Sequence, residues 1–241
     1  MIAGVAVSTN GLVKTYGRRR ALDGFSLEVP AGCAMGLVGP NGAGKTTWMM
    51  SVAGLLRVRE GSIGLFGSSE AFDAARHSGR LAILPQDSDL PLESTPCGFL
   101  TGLARLQGLS SSVAKASVST VLEALNLADR ATAPIRSLSH GMRKRLMAAQ
   151  CFLGHPNLIL LDEPMNGLDP EEVVRFRQLI QSRPKDCAVV VSSHDLAGLE
   201  RLCTHVAFVN AGRVRRVVTL AELAAAGLSL ETAYLTLQSG N

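Results

Sequence analysis

Short apolar runs are the dominant pattern along this chain, and most of them are followed directly by glycine or a polar residue. A run of about five apolar residues is typical of a parallel strand that is buried on both faces. These runs predict strands at residues 33–38, 81–84, 158–162, 187–192 and 206–209. Helical spacing of apolar residues between the runs indicates helices that pack on the faces of the sheet. The pattern therefore predicts an α/β fold with a mainly parallel sheet.

Two parts of the chain depart from this alternation. Residues 10–29 and 62–66 favour strands separated by glycine turns, and they predict an antiparallel sheet near the N-terminus. Residues 87–150 combine a turn-rich connection with apolar residues at helical spacing, and they predict a helical subdomain. We therefore expect one domain over residues 1–241, with its core at residues 1–86 and 151–241 and its helical part at residues 87–150.

A glycine-rich segment follows the first apolar strand. Residues 39–46 fill every fixed position of a loop that wraps the phosphates of a nucleotide. Between a strand and a helix, such a loop turns its N–H groups onto the β-phosphate, and the helix adds its positive end. Lys45 is expected to reach the β- and γ-phosphates, and Thr46 to bind Mg²⁺. The candidate nucleotide-binding residues here are Gly39, Pro40, Asn41, Gly42, Ala43, Gly44, Lys45, Thr46 and Thr47.

Residues 158–163 form an apolar run that ends in two carboxylates, Asp162 and Glu163. The carboxyl end of a buried parallel strand is where α/β proteins bind ligands. We expect Asp162 to bind Mg²⁺, and Glu163, on the opposite side of the chain, to act as a general base toward water. A solvated acidic turn is the alternative for this pair, and the complete phosphate loop upstream disfavours it.

Composition narrows the class of protein. The 241 residues are 46% hydrophobic and 18% charged, which predicts a globular chain with a substantial core. No apolar stretch is long enough to cross a bilayer, and the first residues do not resemble a signal peptide, so we expect a cytoplasmic location. Five scattered cysteines without a CxxC pair indicate reduced thiols. The net charge of +4 and short basic clusters at residues 18–20, 143–145 and 213–216 indicate solvated faces and no nucleic-acid partner.

Residues 137–145, which read Ser-Leu-Ser-His-Gly-Met-Arg-Lys-Arg, predict a serine-capped helix start. With the phosphate loop and the acidic pair, this segment resembles the signature motif of ATP-binding cassette (ABC) ATPases. The chain departs from the usual signature because His140 replaces its first glycine and Met142 its glutamine. The resemblance implies that Ser139 and Gly141 contact a γ-phosphate, and the imidazole of His140 can add a further donor.

Four other segments match the ABC family in order. The resemblance implies that Tyr16 stacks on adenine, Gln86 forms the Q-loop, residues 166–169 form the D-loop, and His194 is the switch histidine that contacts the γ-phosphate. Each residue alone also fits an ordinary structural role, and their shared order favours the functional one. The implied catalytic residues are Glu163, His194, Gln86 and Lys45, and the implied Mg²⁺ ligands are Thr46, Gln86 and Asp162.

The resemblance covers essentially the whole chain and implies a P-loop NTPase core that hydrolyses ATP, with Mg²⁺, to power a separate membrane permease at the inner face of the cell membrane. It also implies a homodimer, or a pair with another ATPase subunit, in which the phosphate loop of one subunit faces the signature of the other across two ATP molecules. His140 and residues 229–235 resemble the exporter-type, ABC-2-like branch. An importer ATPase is the main alternative.

Two further alternatives fit less well. A soluble cassette protein acting on DNA or ribosomes would need a coiled-coil insertion, a second cassette or a basic stripe, and the sequence has none of these. A small P-loop kinase would lack the signature segment and His194. The transported substrate is selected by the permease, so this sequence does not identify it.

Overall fold

The computed structural model describes residues 4–68, 73, 77–86 and 89–239. Its strands are β1 (Val5–Tyr16), β2 (Arg19–Pro30), β3 (Ala34–Val38), β4 (Glu60–Leu65), β5 (Leu81–Leu84), β6 (Leu158–Asp162), β7 (Ala188–Ser192), β8 (His205–Asn210) and β9 (Arg213–Thr219). Its α-helices are α1 (Lys45–Val52), α2 (Pro96–Leu106), α3 (Ser111–Ala124), α4 (His140–Ala149), α5 (Pro170–Gln181), α6 (Leu196–Glu200), α7 (Leu220–Ala225) and α8 (Leu230–Ser239). Asp87 and Ser88, at the start of the predicted turn-rich connection, lie outside the described residues.

Two sheets form the framework. The smaller is antiparallel, with strand order β2-β1-β4, and the larger has strand order β5-β6-β7-β3-β8-β9. Neighbouring strands of the larger sheet are parallel except for β8 and β9. The predicted α/β fold with a mainly parallel sheet and a separate antiparallel sheet is confirmed. The division into a core and a helical part stays a prediction.

The central strands are buried on both faces. Every residue of β3, β6 and β7 is buried. Leu160 and Val190 pack in the same core as Trp48 of α1, whereas Leu161 and Val191 belong to the core that the other helices share. Alternate residues of one strand thus face two different cores, which explains why these strands read as continuous apolar runs. No helix in the described part of the chain is both long enough and apolar enough to span a membrane.

The five cysteines are free thiols, and only Cys97 is not fully buried. Burial raises the pKa of Cys151 and of Cys203 to about 12, and that of Cys187 to about 11. Burial also raises the pKa of Cys33. These thiols therefore stay protonated at neutral pH and act as small apolar side chains.

Buried Thr9 links the antiparallel sheet to the helix that follows the phosphate loop. Its hydroxyl donates to the carbonyl of Leu27 at 3.0 Å and accepts hydrogen bonds from the Leu27 N–H at 3.0 Å and from Trp48 Nε1 at 3.1 Å. The indole of Trp48 is fully buried and stacks on Phe25, with ring centroids 5.8 Å apart. This network fixes α1 against the strand that carries Tyr16.

Replacing this hydroxyl is expected to destabilise the fold. In Thr9→Val, the buried N–H groups of Leu27 and Trp48 lose their acceptor, so we expect the free energy of unfolding to fall by about 2 kcal/mol. Urea unfolding followed by the fluorescence of Trp48, the only tryptophan, measures the change. Thr15→Val, at a half-buried position of the same strand, is the matched control, and equal midpoints for the two variants would contradict the assignment.

Candidate functional site

A cleft of about 570 Å³ lies at the carboxyl ends of β3, β6 and β7 and brings together segments that are distant in sequence. Parallel strands place their carboxyl ends at one edge of a sheet, so the loops that follow them converge there. The predicted site residues that line the cleft are Tyr16, Asn41, Gly42, Gly44, Lys45, Thr46, Thr47, Gln86, Asp162, Glu163 and His194. Most of the predicted nucleotide site is therefore one continuous surface.

The phosphate loop joins β3 to α1 and needs glycine at two close contacts. A Cβ at Gly39 would lie 2.1 Å from the carbonyl oxygen of Val209, and a Cβ at Gly44 would lie 2.6 Å from the carbonyl oxygen of Ala21. Gly44 also has a φ of 111°, which residues with a side chain rarely adopt. These contacts place the loop directly against β8 and β2.

The ammonium group of Lys45 is buried against its own loop. Nζ donates hydrogen bonds to the carbonyls of Gly39 at 2.6 Å and of Pro40 at 3.2 Å. Burial lowers the pKa of Lys45, and the nearby carboxylates of Glu163 and Asp162 partly oppose this shift. An ammonium group has three donors, so one remains for an anion in the cleft.

Ser192 holds the acidic pair in place. Its buried hydroxyl donates to Asp162 Oδ1 and accepts a hydrogen bond from the Glu163 N–H at 2.9 Å. The expectation that Glu163 lies on the opposite side of the chain from Asp162 is wrong, because both side chains line the cleft. Glu163 has a φ of 50°, and this left-handed turn redirects the chain directly after β6.

His194 faces the carboxylate of Glu163, with 3.1 Å between His194 Nδ1 and Glu163 Oε2. The carboxylate side chain is 12% exposed, whereas the imidazole is 71% exposed. The carboxylate is thus sheltered, whereas the imidazole that contacts it lies at the open end of the cleft. This geometry lets the imidazole orient the carboxylate and also contact a ligand.

Tyr16 and Gln86 lie at the rim. Tyr16 is 48% exposed, and Lys14 Nζ lies 5.5 Å from the centroid of its ring. Gln86 follows β5 closely and is exposed. An exposed ring beside a phosphate-binding loop can stack on a base.

The signature segment lies apart from this cleft. Ser139 caps α4, and its hydroxyl accepts a hydrogen bond from the Met142 N–H at 3.2 Å. Ser139, His140 and Gly141 do not line the cleft. A Cβ at Gly141 would lie 2.7 Å from a carboxylate oxygen of Glu172, so a side chain at position 141 would have to displace this carboxylate.

Two basic side chains of α4 connect this segment to the elements that follow Glu163. Arg145 Nη2 lies 3.1 Å from Glu172 Oε1, and Nη1 donates to the carbonyl of Leu125 at 2.7 Å. Both side chains of this ion pair are largely buried. Lys144 Nζ donates to the carbonyl of Asn166, which lines the cleft. The helix is thus attached to both α5 and the cleft loop.

Sequence reasoning missed one charged residue of the cleft. It assigned residues 18–20 to a solvated face, but Arg19 lines the cleft and donates from Nη2 to the carbonyl of Gly42 at 2.7 Å. The tight connection between β1 and β2 is the signal that could have found it. A residue that follows Tyr16 by three positions in such a hairpin returns to the same edge of the sheet.

Known proteins resemble this chain in sequence and in structure. The family model for ABC transporters matches residues 22–166. The Nod factor export ATP-binding protein I of Cupriavidus metallidurans is 36% identical over 205 residues, which cover 83% of this chain and 66% of that protein. The daunorubicin/doxorubicin resistance ATP-binding protein DrrA of Streptomyces peucetius is 32% identical over 219 residues, which cover 90% of this chain and 66% of that protein.

A solved ATP-binding subunit of an ABC transporter is similar over nearly the whole chain. It has a TM-score of 0.85 and 28% sequence identity, and the match covers 97% of this chain and 99% of that one. The chain spans just under two thirds of the length of the curated relatives named above. Because the family model and the relatives agree over most of its length, the chain belongs to the ATP-binding cassette (ABC) transporter family.

Proposed function

We propose that this chain is the ATP-binding and ATP-hydrolysing subunit of an export transporter and that it powers a separate membrane permease. The observation that carries the proposal is the convergence of the phosphate loop, the acidic pair and His194 in one cleft. The names of the relatives, which refer to Nod factor export and to daunorubicin/doxorubicin resistance, support the direction of transport. Substitutions at individual residues of the cleft can test the proposed ATP binding and hydrolysis.

The donor set around Asp162 fits Mg²⁺. Asp162 Oδ2 is buried and has no hydrogen-bond partner among the described residues, and Thr46 and Gln86 line the same cleft. Carboxylate, hydroxyl and amide oxygens are the hard ligands that this ion prefers. Asp162, Thr46 and Gln86 would hold it, and when bound the ion neutralises charge on the phosphates.

Four other side chains of the cleft bind the nucleotide or take part in its hydrolysis. Lys45 binds the phosphates with the donor that its backbone contacts leave over, and Tyr16 stacks on the base. Glu163 accepts a proton from the attacking water, because a sheltered carboxylate close to a phosphate can act as a general base. His194 orients Glu163 and contacts the γ-phosphate.

The signature residues fit a second nucleotide rather than the one in their own cleft. The first turn of a helix leaves N–H groups without helical partners, and these groups favour phosphate. Since Ser139, His140 and Gly141 lie outside the cleft, we propose that they contact the ATP of a second copy or of a paired ATPase subunit. Bound ATP then favours the closed pair of subunits, because the γ-phosphate makes extra contacts with the signature residues. Hydrolysis removes these contacts.

Removing the proposed general base tests the chemistry. In Glu163→Gln, the amide keeps the shape of the side chain but cannot accept the proton, so we expect ATP to bind normally and the ATPase rate with the permease to fall at least about 100-fold. ATP-loaded dimers should accumulate and can be measured by size-exclusion chromatography. Glu171→Gln, at an exposed carboxylate that pairs with Arg175, is the control, and a wild-type rate in Glu163→Gln would exclude this role.

Removing the buried ammonium group tests binding instead. Lys45→Ala is expected to weaken ATP binding about tenfold or more, because a charge-assisted contact to phosphate is lost. Titration with a fluorescent ATP analogue measures the dissociation constant, and Lys115→Ala, at an exposed lysine of α3, is the matched control. An affinity equal to that of the control variant would contradict the proposed contact.

A further inference from the structure

Arg19 is a cation of the cleft to which the proposed mechanism gives no role. It is the first residue of β2 and pairs across the hairpin with Tyr16. Its Nη2 donates to the carbonyl of Gly42 at 2.7 Å, and its side chain lines the cleft with Lys45 and Thr46. The guanidinium therefore extends from the β1–β2 hairpin, which carries the proposed base-stacking ring, to the phosphate loop.

The phosphate loop makes room for this guanidinium. A Cβ at Gly42 would lie 1.9 Å from Arg19 Nη2, and Gly42 has a φ of 77°. A side chain at position 42 would thus be strained and would displace the arginine. The close contact depends on glycine at the turn of the loop.

Among the residues that the structure describes, no carboxylate neutralises the charge of Arg19. The next residue, Arg20, pairs with Asp23 at 2.7 Å, and Arg213 pairs with the same carboxylate at 2.9 Å. Within the described part of the chain, no carboxylate forms an ion pair with Arg19. A guanidinium has five N–H donors, so several remain for an anion after the bond to Gly42.

We propose that Arg19 is a second phosphate-binding cation of this cleft and that it contacts the nucleotide between its base and its terminal phosphate. The inference rests on the proposed function, in which Tyr16 holds the base and the loop wraps the β-phosphate. The α-phosphate joins these two parts, and Arg19 bridges the elements that hold them. Arg19 therefore strengthens the binding of ATP and of ADP alike, whereas Lys45 also reaches the γ-phosphate.

Competition against a fluorescent ADP analogue tests this role. In Arg19→Gln, we expect the dissociation constants of ATP and ADP to rise about tenfold, which corresponds to roughly 1.4 kcal/mol, while that of adenosine is unchanged. The loss should shrink when KCl rises from about 0.1 M to about 1 M, because the screening length falls from about 10 Å to about 3 Å. Arg19→Lys should recover part of the affinity, since it keeps the charge but not the planar fork.

The neighbouring arginines supply matched controls. Arg18→Gln and Arg20→Gln remove the same charge one position away and should leave the affinities for ATP and ADP close to those of the wild type. If Arg19 only supports the loop, Arg19→Gln would also weaken the binding of adenosine, or its effect on ATP and ADP binding would be equally large at high salt. Either result would overturn the inference. A wild-type affinity in Arg19→Gln would overturn it too. Wild-type protein that binds neither ATP nor ADP would instead overturn the proposed function itself.

Discussion

The site depends on one buried hydroxyl. Ser192 pairs with Asp162 in the parallel register of β7 and β6, and its hydroxyl contacts both Asp162 and the N–H of Glu163. The positions of the two carboxylates are therefore set by the packing of two strands that are buried on both faces. A shift of one residue in the register would turn these side chains to the other face of the sheet. The register of β6 and β7 therefore determines both which side chains enter the apolar core and where the two carboxylates lie.

Sequence reasoning found the elements that local pattern determines. The phosphate loop, the acidic pair and His194 each follow an apolar strand, and such strands are recognisable without knowledge of tertiary contacts. Strand β9 has no such signal, because it is an edge strand whose arginines face solvent. The direction of Glu163 was missed because its positive φ is not encoded in any neighbouring residue. Arg19 was missed because a basic cluster alone indicates a solvated face, and only the tight turn between β1 and β2 places Arg19 beside Tyr16.

The contacts of α4 connect the signature segment to the cleft of the same chain. Lys144 touches the cleft loop at Asn166, and Arg145 holds Glu172 of α5. A buried ion pair adds little net stability, but breaking it leaves an uncompensated charge, so the pair favours one arrangement of the two helices. If the signature of one copy binds the ATP of the other, a shift at Asn166 in one cleft moves the helix that contacts the second nucleotide. The same few side chains would then connect both ATP sites.

Backbone carbonyls of the phosphate loop hold both cations of the cleft, and this affects binding. Lys45 is held by the carbonyls of Gly39 and Pro40, and Arg19 by the carbonyl of Gly42. Carbonyls orient a cation without cancelling its charge, whereas a carboxylate partner would have to be displaced or neutralised when phosphate arrives. The backbone of the loop therefore orients Arg19 and Lys45 and does not itself neutralise their charge. Little side-chain rearrangement is then needed when a nucleotide enters, which reduces the ordering cost of binding.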